Sequence, residues 1–175
     1  MIDSTPIVRE ATQDDVEQLA PLFVKSVDTS LPGVTFSSDP SYTLDKVVPH
    51  LRARLFPPKA YKTYVLELPT GELAGYGSVK PGGGPNGDGN EVDMFFVRAD
   101  LGRRGYGGQL MRTIQAEWGE RGLWLRVFKE NSRAIGFYEK WGFGLVEGQE
   151  ETLGLSLAEP REAIACLMRW PRSTQ

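Results

Sequence analysis

The sequence predicts a mixed α/β fold in a single domain. Three observations point there. Seven short runs, some alternating apolar and polar residues and others continuously apolar, have the character of strands, and four longer ones repeat apolar residues at helical spacing. The two kinds interleave as strand, two helices, three strands, helix, strand, helix, two strands. At 175 residues the chain is long enough to bury one core and too short for two domains of ordinary size.

The elements follow in chain order. Pro6 to Ala11 alternates as an opening strand. Thr12 has the character of an N-cap, with Asp15 three residues on and acidic residues in the first turn. A helix over about Asp14 to Val27 carries Val16, Leu19, Ala20, Phe23, Val24 and Val27 on one side, and Pro21 inside it predicts a kink or break. Asp28 to Pro40 is polar loop. A second helix, about Tyr42 to Leu55, contains Pro49 and is expected to split there. Tyr61 to Leu68 and Leu73 to Val79 form a hairpin around Pro69-Thr70-Gly71-Glu72. Pro81 to Asn90 is so rich in glycine and proline that a mobile loop is expected. A strand from Val92 to Val97 then enters a glycine turn, followed by a helix to about Glu120. Leu123 to Phe128 is another strand, and Asn131 to Trp141 a short helix stopped by Gly142. Phe143 to Val146 and Glu162 to Trp170 are the last two strands. No internal repeat is present.

Composition narrows the function. A net charge of −3 argues against broad nucleic-acid binding. The single cysteine, Cys166, permits no internal disulfide and lies in an apolar run, where a buried inert thiol is the favoured reading. With His50 the only histidine, a His-rich metal site is excluded and no metal is expected. No apolar stretch approaches a membrane span, and the first ten residues are too polar for a signal peptide, so a cytoplasmic location without membrane attachment is expected.

The turn before the third helix carries the chemistry. Gly105, Gly107 and Gly108 sit where the first N–H groups of a helix have no internal partner, just after Arg103 and Arg104. Such a start suits a phosphate-bearing ligand. It is not a Walker loop, which needs Lys-Ser or Lys-Thr after its glycines, nor a dinucleotide fingerprint, whose third glycine would fall at Leu110. The sequence 91–143 resembles the GCN5-related N-acetyltransferase (GNAT) family instead. Gly102 to Gly107 matches that family's Gln/Arg-x-x-Gly-x-Gly/Ala loop except at Gly102, where a side-chain contact is lost. Asn131, Ala134, Phe137, Tyr138, Gly142 and Phe143 meet its Asn-x-x-Ala-x-x-Phe-Tyr-x-x-x-Gly-Phe signature in full. The late strand through Leu167-Met168 is also usual for it.

The resemblance implies a mostly antiparallel central sheet of about seven strands flanked by about four helices. It also implies acetyl-CoA, or a close acyl-CoA, as donor. The pyrophosphate is then expected on the N–H groups of Arg103, Arg104, Gly105, Tyr106, Gly107 and Gly108. The pantetheine arm is expected along Phe96 and Val97, and Asn131 at the donor or holding nearby backbone. The donor core would cover about 91–143, and helices within about 14–56 would shape the acceptor side. Transfer to an amine needs a base, since an amine of pKa near 10 is protonated at pH 7. Glu91 and Asp93 are the candidates, placed on one face by period-two alternation, with a relay through water as the alternative. A backbone N–H near Phe96 would polarise the carbonyl. Tyr138 corresponds to the family's proton donor to the thiolate, although its apolar helix face equally suits core packing. The expected acceptor is a small-molecule amine, with Glu91 and Asp93 hinting at a cationic one. A protein lysine or N-terminus, a non-catalytic acyl-CoA-binding module and a homodimer stay open.

Overall fold

In the computed structural model, which describes residues 5–57, 61–101 and 104–171, the chain runs through β1 (Ile7–Glu10), α1 (Val16–Val27), α2 (Leu44–Leu55), β2 (Lys62–Glu67) and β3 (Leu73–Lys80). It continues through β4 (Asn90–Val97), α3 (Tyr106–Trp118), β5 (Leu123–Phe128), α4 (Ser132–Lys140), β6 (Gly144–Leu155) and β7 (Arg161–Trp170). The strands form one sheet in the order β1-β2-β3-β4-β5-β7-β6. Every neighbouring pair is antiparallel except β4 and β5, which run parallel. The expected architecture of seven strands and four helices is therefore met.

Alternation along the central strands divides the apolar residues between two faces. On one face Tyr64, Val79 and Leu125 pack with Leu110, Met111 and Ile114 of α3 and with Tyr138 of α4. On the other, Val65, Tyr76 and Met94 meet Val16, Leu19 and Ala20 of α1 and Val47, Leu51 and Leu55 of α2. A third cluster of Val27, Leu31, Val34 and Phe36 carries the segment after α1 onto Phe128, Leu155 and Ala163. Among the described residues no helix is long and apolar enough to cross a membrane.

An ion-pair network fastens β1 to the start of α1. Arg9 donates to both oxygens of Asp15 at 2.8 Å and to Glu67 at 2.6 Å, and the Thr12 N–H donates to Asp15 at 2.8 Å. The Arg9 hydrogen bond holds the Asp15 carboxyl below the usual range. Its stabilisation is therefore full above the unfolded carboxylate pKa, about 3.9, and disappears as pH falls through the lower folded value. Asp15→Ala is expected to cost about 1–3 kcal/mol at pH 7 and much less near pH 2, measured by urea unfolding. Equal unfolding midpoints for the two proteins at pH 7 would contradict it.

Several elements depart from expectation. The chain from Gln13 to Asp15 is a 3-10 turn, so α1 proper begins at Val16. Neither Pro21 nor Pro49 breaks its helix. The carbonyls they leave without a partner belong to Glu17 and Asp45, both exposed and able to bond water. The 81–90 segment contains a short 3-10 turn at Pro85–Gly87 and is anchored at its ends: Gly82 N–H donates to Asn90 Oδ1 at 3.1 Å, and Asn90 Nδ2 to the Trp118 carbonyl at 3.1 Å. β6 runs to Leu155, well past Val146. Its end does alternate, with Leu153 and Leu155 half-buried and Thr152 and Gly154 exposed, but the polar, exposed run 147–152 separates it from Leu145.

Candidate active site

β4 and β5 touch only where they begin. Asn90 pairs with Leu123 and Glu91 with Trp124, and no register continues beyond. Backbone groups of β4 facing the vacated side are thus free to pair with something other than a strand of the sheet. A bulge accompanies the separation: Val79 lies opposite Val92 and its neighbour Ser78 opposite Met94, leaving Asp93 as the extra residue. Val92 and Phe95 consequently join the α3/α4 core, whereas Met94 and Phe96 join the α1/α2 core. Simple alternation does not predict that switch.

The separated strands open a continuous cleft of about 1240 Å³. One end is lined by Val97, Gly105 to Gly108, Asn131 and the inner side of α4, including Tyr138 and Trp141. Its floor carries Glu91, Asp93, Arg54, Arg126 and Lys80. The other end is walled by Phe23, Phe36, Tyr42, Phe96, Phe128 and Leu155. Behind that wall the third apolar cluster packs, and Asp39, outside the cleft lining, accepts from Ala158 N–H at 2.9 Å in the β6–β7 turn.

The glycines of the turn have separate duties. Gly105 is the left-handed residue preceding α3, with φ of +78° and open space around it. The first bond of α3 runs from Gln109 N–H to the Gly105 carbonyl at 3.0 Å, so the N–H groups of Tyr106, Gly107 and Gly108 lack a partner within the helix. Gly107 and Gly108 also admit α4: a Cβ at Gly108 would stand 2.6 Å from the Trp141 ring and one at Gly107 3.1 Å from Phe137. Arg104 is exposed just before the turn. Gly102 and Arg103 lie outside the described residues.

The expected acids do share a face. Arg126 alternates with Leu125 and Val127 of the α3/α4 core, so it points to the α1/α2 side, where it donates to Glu91 Oε1. Asp93 meets Arg54 of α2 on that same side. Their settings differ. Arg54 occupies both Asp93 oxygens, at 3.0 and 2.9 Å. Glu91 keeps Oε2 without a donor among the described residues. Burial pushes the Glu91 carboxyl above its usual range, with Arg126 opposing the rise and Asp93 adding to it. Across the cleft Tyr138 packs edge-on against Phe95, Phe137 and Phe143 at 5.5 to 6.1 Å. Burial pushes its hydroxyl well above the ordinary tyrosine range. Tyr138 is thus both a core residue and part of the cleft lining. Asn131 Oδ1 accepts from Ala134 N–H at 3.1 Å, so this residue caps α4 while facing the cleft.

Sequence reasoning missed the cations. Arg126 stands alone in the apolar run LWLRVF, which is the signal that would have marked it, and Arg54 was lost among mixed charges on α2. His50 is exposed and outside the cleft lining, and Cys166 is buried. Among the described residues no three His, Cys, Asp or Glu side chains gather as metal ligands would.

Comparison with known proteins bears on this cleft. Residues 33–143 match the model of the acetyltransferase (GNAT) family. An acetyltransferase from Thermus thermophilus is 24% identical over 97% of this chain and 99% of its own, with a TM-score of 0.69. The PaiA N-acetyltransferase from Thermoplasma acidophilum, solved in complex with coenzyme A, is 16% identical over 94% of this chain and 98% of its own, with a TM-score of 0.65. A ribosomal-protein-alanine N-acetyltransferase from Brucella melitensis is 20% identical over 93% and 98%, with a TM-score of 0.66. At these identities the likeness to solved structures speaks for the fold alone. No curated protein matches the sequence.

Proposed function

Because the chain belongs to the GNAT family of acetyltransferases, we propose that it transfers an acetyl group from acetyl-CoA to a primary amine of a small molecule, by direct attack within a ternary complex. The observation that carries this reading is the continuity of the cleft: an open helix start, a free strand edge, a buried carboxylate and a buried tyrosine all line it.

Residues 91–143 hold the donor, and the segment about 14–56 shapes the acceptor side. Tyr106, Gly107 and Gly108 receive the pyrophosphate on their N–H groups, favoured by the dipole of α3, and Arg103, Arg104 and Gly105 are proposed as further donors to it. Phe96 and Val97 pair with the pantetheine arm through backbone groups that β5 leaves free. The donor supplies a thioester. As the amine nitrogen bonds to its carbonyl carbon, the carbon–sulfur bond breaks, the ammonium protons lost number two and the thiol gains one, giving amide, free CoA thiol and one released proton. Glu91 accepts a proton from the amine through water, a backbone N–H near Phe96 meets the charge growing on the carbonyl oxygen, and Tyr138 donates a hydrogen bond to the departing sulfur, which then takes its proton from solvent. The acceptor end is walled by the aromatic side chains Phe23, Phe36, Tyr42 and Phe128, which suits the apolar body of a small molecule.

The test is calorimetry with acetyl-CoA, followed by thiol release with a panel of amines. Binding together with amine-dependent thiol supports the reading. Absence of binding at millimolar acetyl-CoA overturns it, and binding without thiol release from any amine identifies an acyl-CoA-binding module.

A further inference from the structure

The floor of the cleft exposes cations where its sequence suggests acids. Two acids on β4 hint at a cationic acceptor, yet both are withdrawn behind arginines. The Glu91 and Asp93 side chains are only 9% and 13% exposed, whereas Arg126 and Arg54 are each 40% exposed. Both guanidinium groups line the cleft. Arg54 uses Nε and Nη2 on Asp93, so nothing among the described residues accepts from its Nη1. Arg126 uses Nη1 on Glu91 and Nε on Glu151, at 3.1 Å for the latter, and its Nη2 is likewise unclaimed. Lys80 adds a third cation to the lining. What a ligand meets is therefore a pair of fixed N–H donors backed by the buried Glu91 and Asp93, with the exposed Glu151 beside Arg126. Such counter-charges orient a guanidinium and reduce the cost of keeping it partly dehydrated.

We infer that Arg54 and Arg126 bind a carboxylate of the acceptor, which is an amine with its own carboxylate and an apolar body, as in an α-amino acid with an aromatic or large aliphatic side chain. The inference rests on the transferase reading and specifies its substrate class. The apolar body fits the aromatic wall beside the arginines. Phe23 stacks with Tyr42 at 6.1 Å and meets Phe96 edge-on at 5.5 Å, and Phe36 meets Tyr42 at 5.2 Å. An acceptor of this kind presents an anion to the exposed arginines while its amine lies within reach of the partly free Glu91. A polycation meets the guanidinium groups first and is repelled.

The experiment compares three ligands of one shape: L-phenylalanine, its amide, and phenethylamine. Their dissociation constants are measured by calorimetry on protein saturated with CoA, and turnover is read as thiol release with acetyl-CoA. The acid is expected to bind at least tenfold tighter than either analogue lacking the carboxylate. In Arg54→Gln and Arg126→Gln that preference falls toward unity, while Arg54→Lys, which keeps the charge, retains part of it. Thermal midpoints and the acetyl-CoA dissociation constant report whether each variant is folded. Equal or tighter binding of the amide or amine overturns the inference, as does absence of acid binding at millimolar concentration. So does a uniform weakening of all three ligands in the variants, which marks the arginines as structural only. Failure of the transferase reading is separate: it appears as no thiol release with any amine, while the ligand comparison on the CoA-saturated protein still decides the carboxylate preference, or as no acetyl-CoA binding, in which case the same three ligands are compared on the free protein.

Discussion

Glu91→Gln lowers kcat by about 10²- to 10⁴-fold near neutral pH, the range typical of a lost general base, and leaves acetyl-CoA binding in place. The choice between the two acids on β4 turns on their partners. Both Asp93 oxygens are taken by Arg54, whereas Glu91 has one oxygen free to accept from a water or an amine. Glu91 lies at the vertex where β4 and β5 part, well before Phe96 along the strand, so at least one water carries the proton between them. Burial raises the Glu91 carboxyl, which improves its match to a proton taken near neutral pH. The acid limb of kcat/KM should therefore lie above the ordinary glutamate value of about 4.3. Below that limb the base is protonated and the rate falls. In Glu91→Gln the limb vanishes, and raising the pH restores part of the rate because the acceptor amine then loses its proton to solvent. Two further variants give the sign. Asp93→Asn removes a charge that raises the Glu91 carboxyl and moves the limb to lower pH; Arg126→Gln removes one that lowers it and moves the limb higher. A wild-type kcat in Glu91→Gln, or a collapse confined to Asp93→Asn, would reject the assignment.

Much of this was legible in the sequence, because local signals fixed it. The glycine turn at 105–108 and the pattern from Asn131 to Phe143 are short-range features, and the helix start and capped α4 they imply are both present. Helix periodicity located the helices because each has one apolar face to bury, and the central strands showed as short apolar runs because they bury both faces. What was not legible depends on partners distant in the chain. Arg54 reaches Asp93 across 39 residues and Arg126 reaches Glu91 across 35, and no local pattern pairs them. The bulge at Asp93 arises where β4 must follow β3 while leaving β5, a constraint of the sheet and not of the segment. β6 lies at the sheet edge, and its exposed polar run 147–152 hides in the sequence that Leu145 and the alternating Leu153 and Leu155 belong to one strand. Gly107 and Gly108 were assigned to backbone exposure alone because the rings that need their missing side chains, Phe137 and Trp141, come from the next helix.

Tyr138→Phe lowers kcat by about 10²-fold or more if the hydroxyl donates to the departing sulfur, with little change in acetyl-CoA affinity or thermal midpoint. The substitution removes one oxygen and keeps the ring that packs on Phe95, Phe137 and Phe143. Burial keeps this tyrosine protonated far above neutral pH, so the donor is present throughout the working range and contributes no alkaline limb of its own. A thiolate near pKa 8.5 is less basic than such a phenolate, and full proton transfer to the free thiolate is therefore uphill. The hydroxyl acts instead by donating a hydrogen bond as negative charge builds on sulfur, in a setting from which bulk water is largely excluded. The rate then depends on the oxygen–sulfur contact and not on titration of Tyr138. Core packing alone makes a different forecast, since phenylalanine fills the same space: kcat unchanged, and stability equal or slightly higher once a buried hydroxyl is removed. Measuring kcat, the acetyl-CoA dissociation constant and the thermal midpoint on the one variant separates the two roles, because only the hydrogen-bond role moves the first while leaving the other two in place.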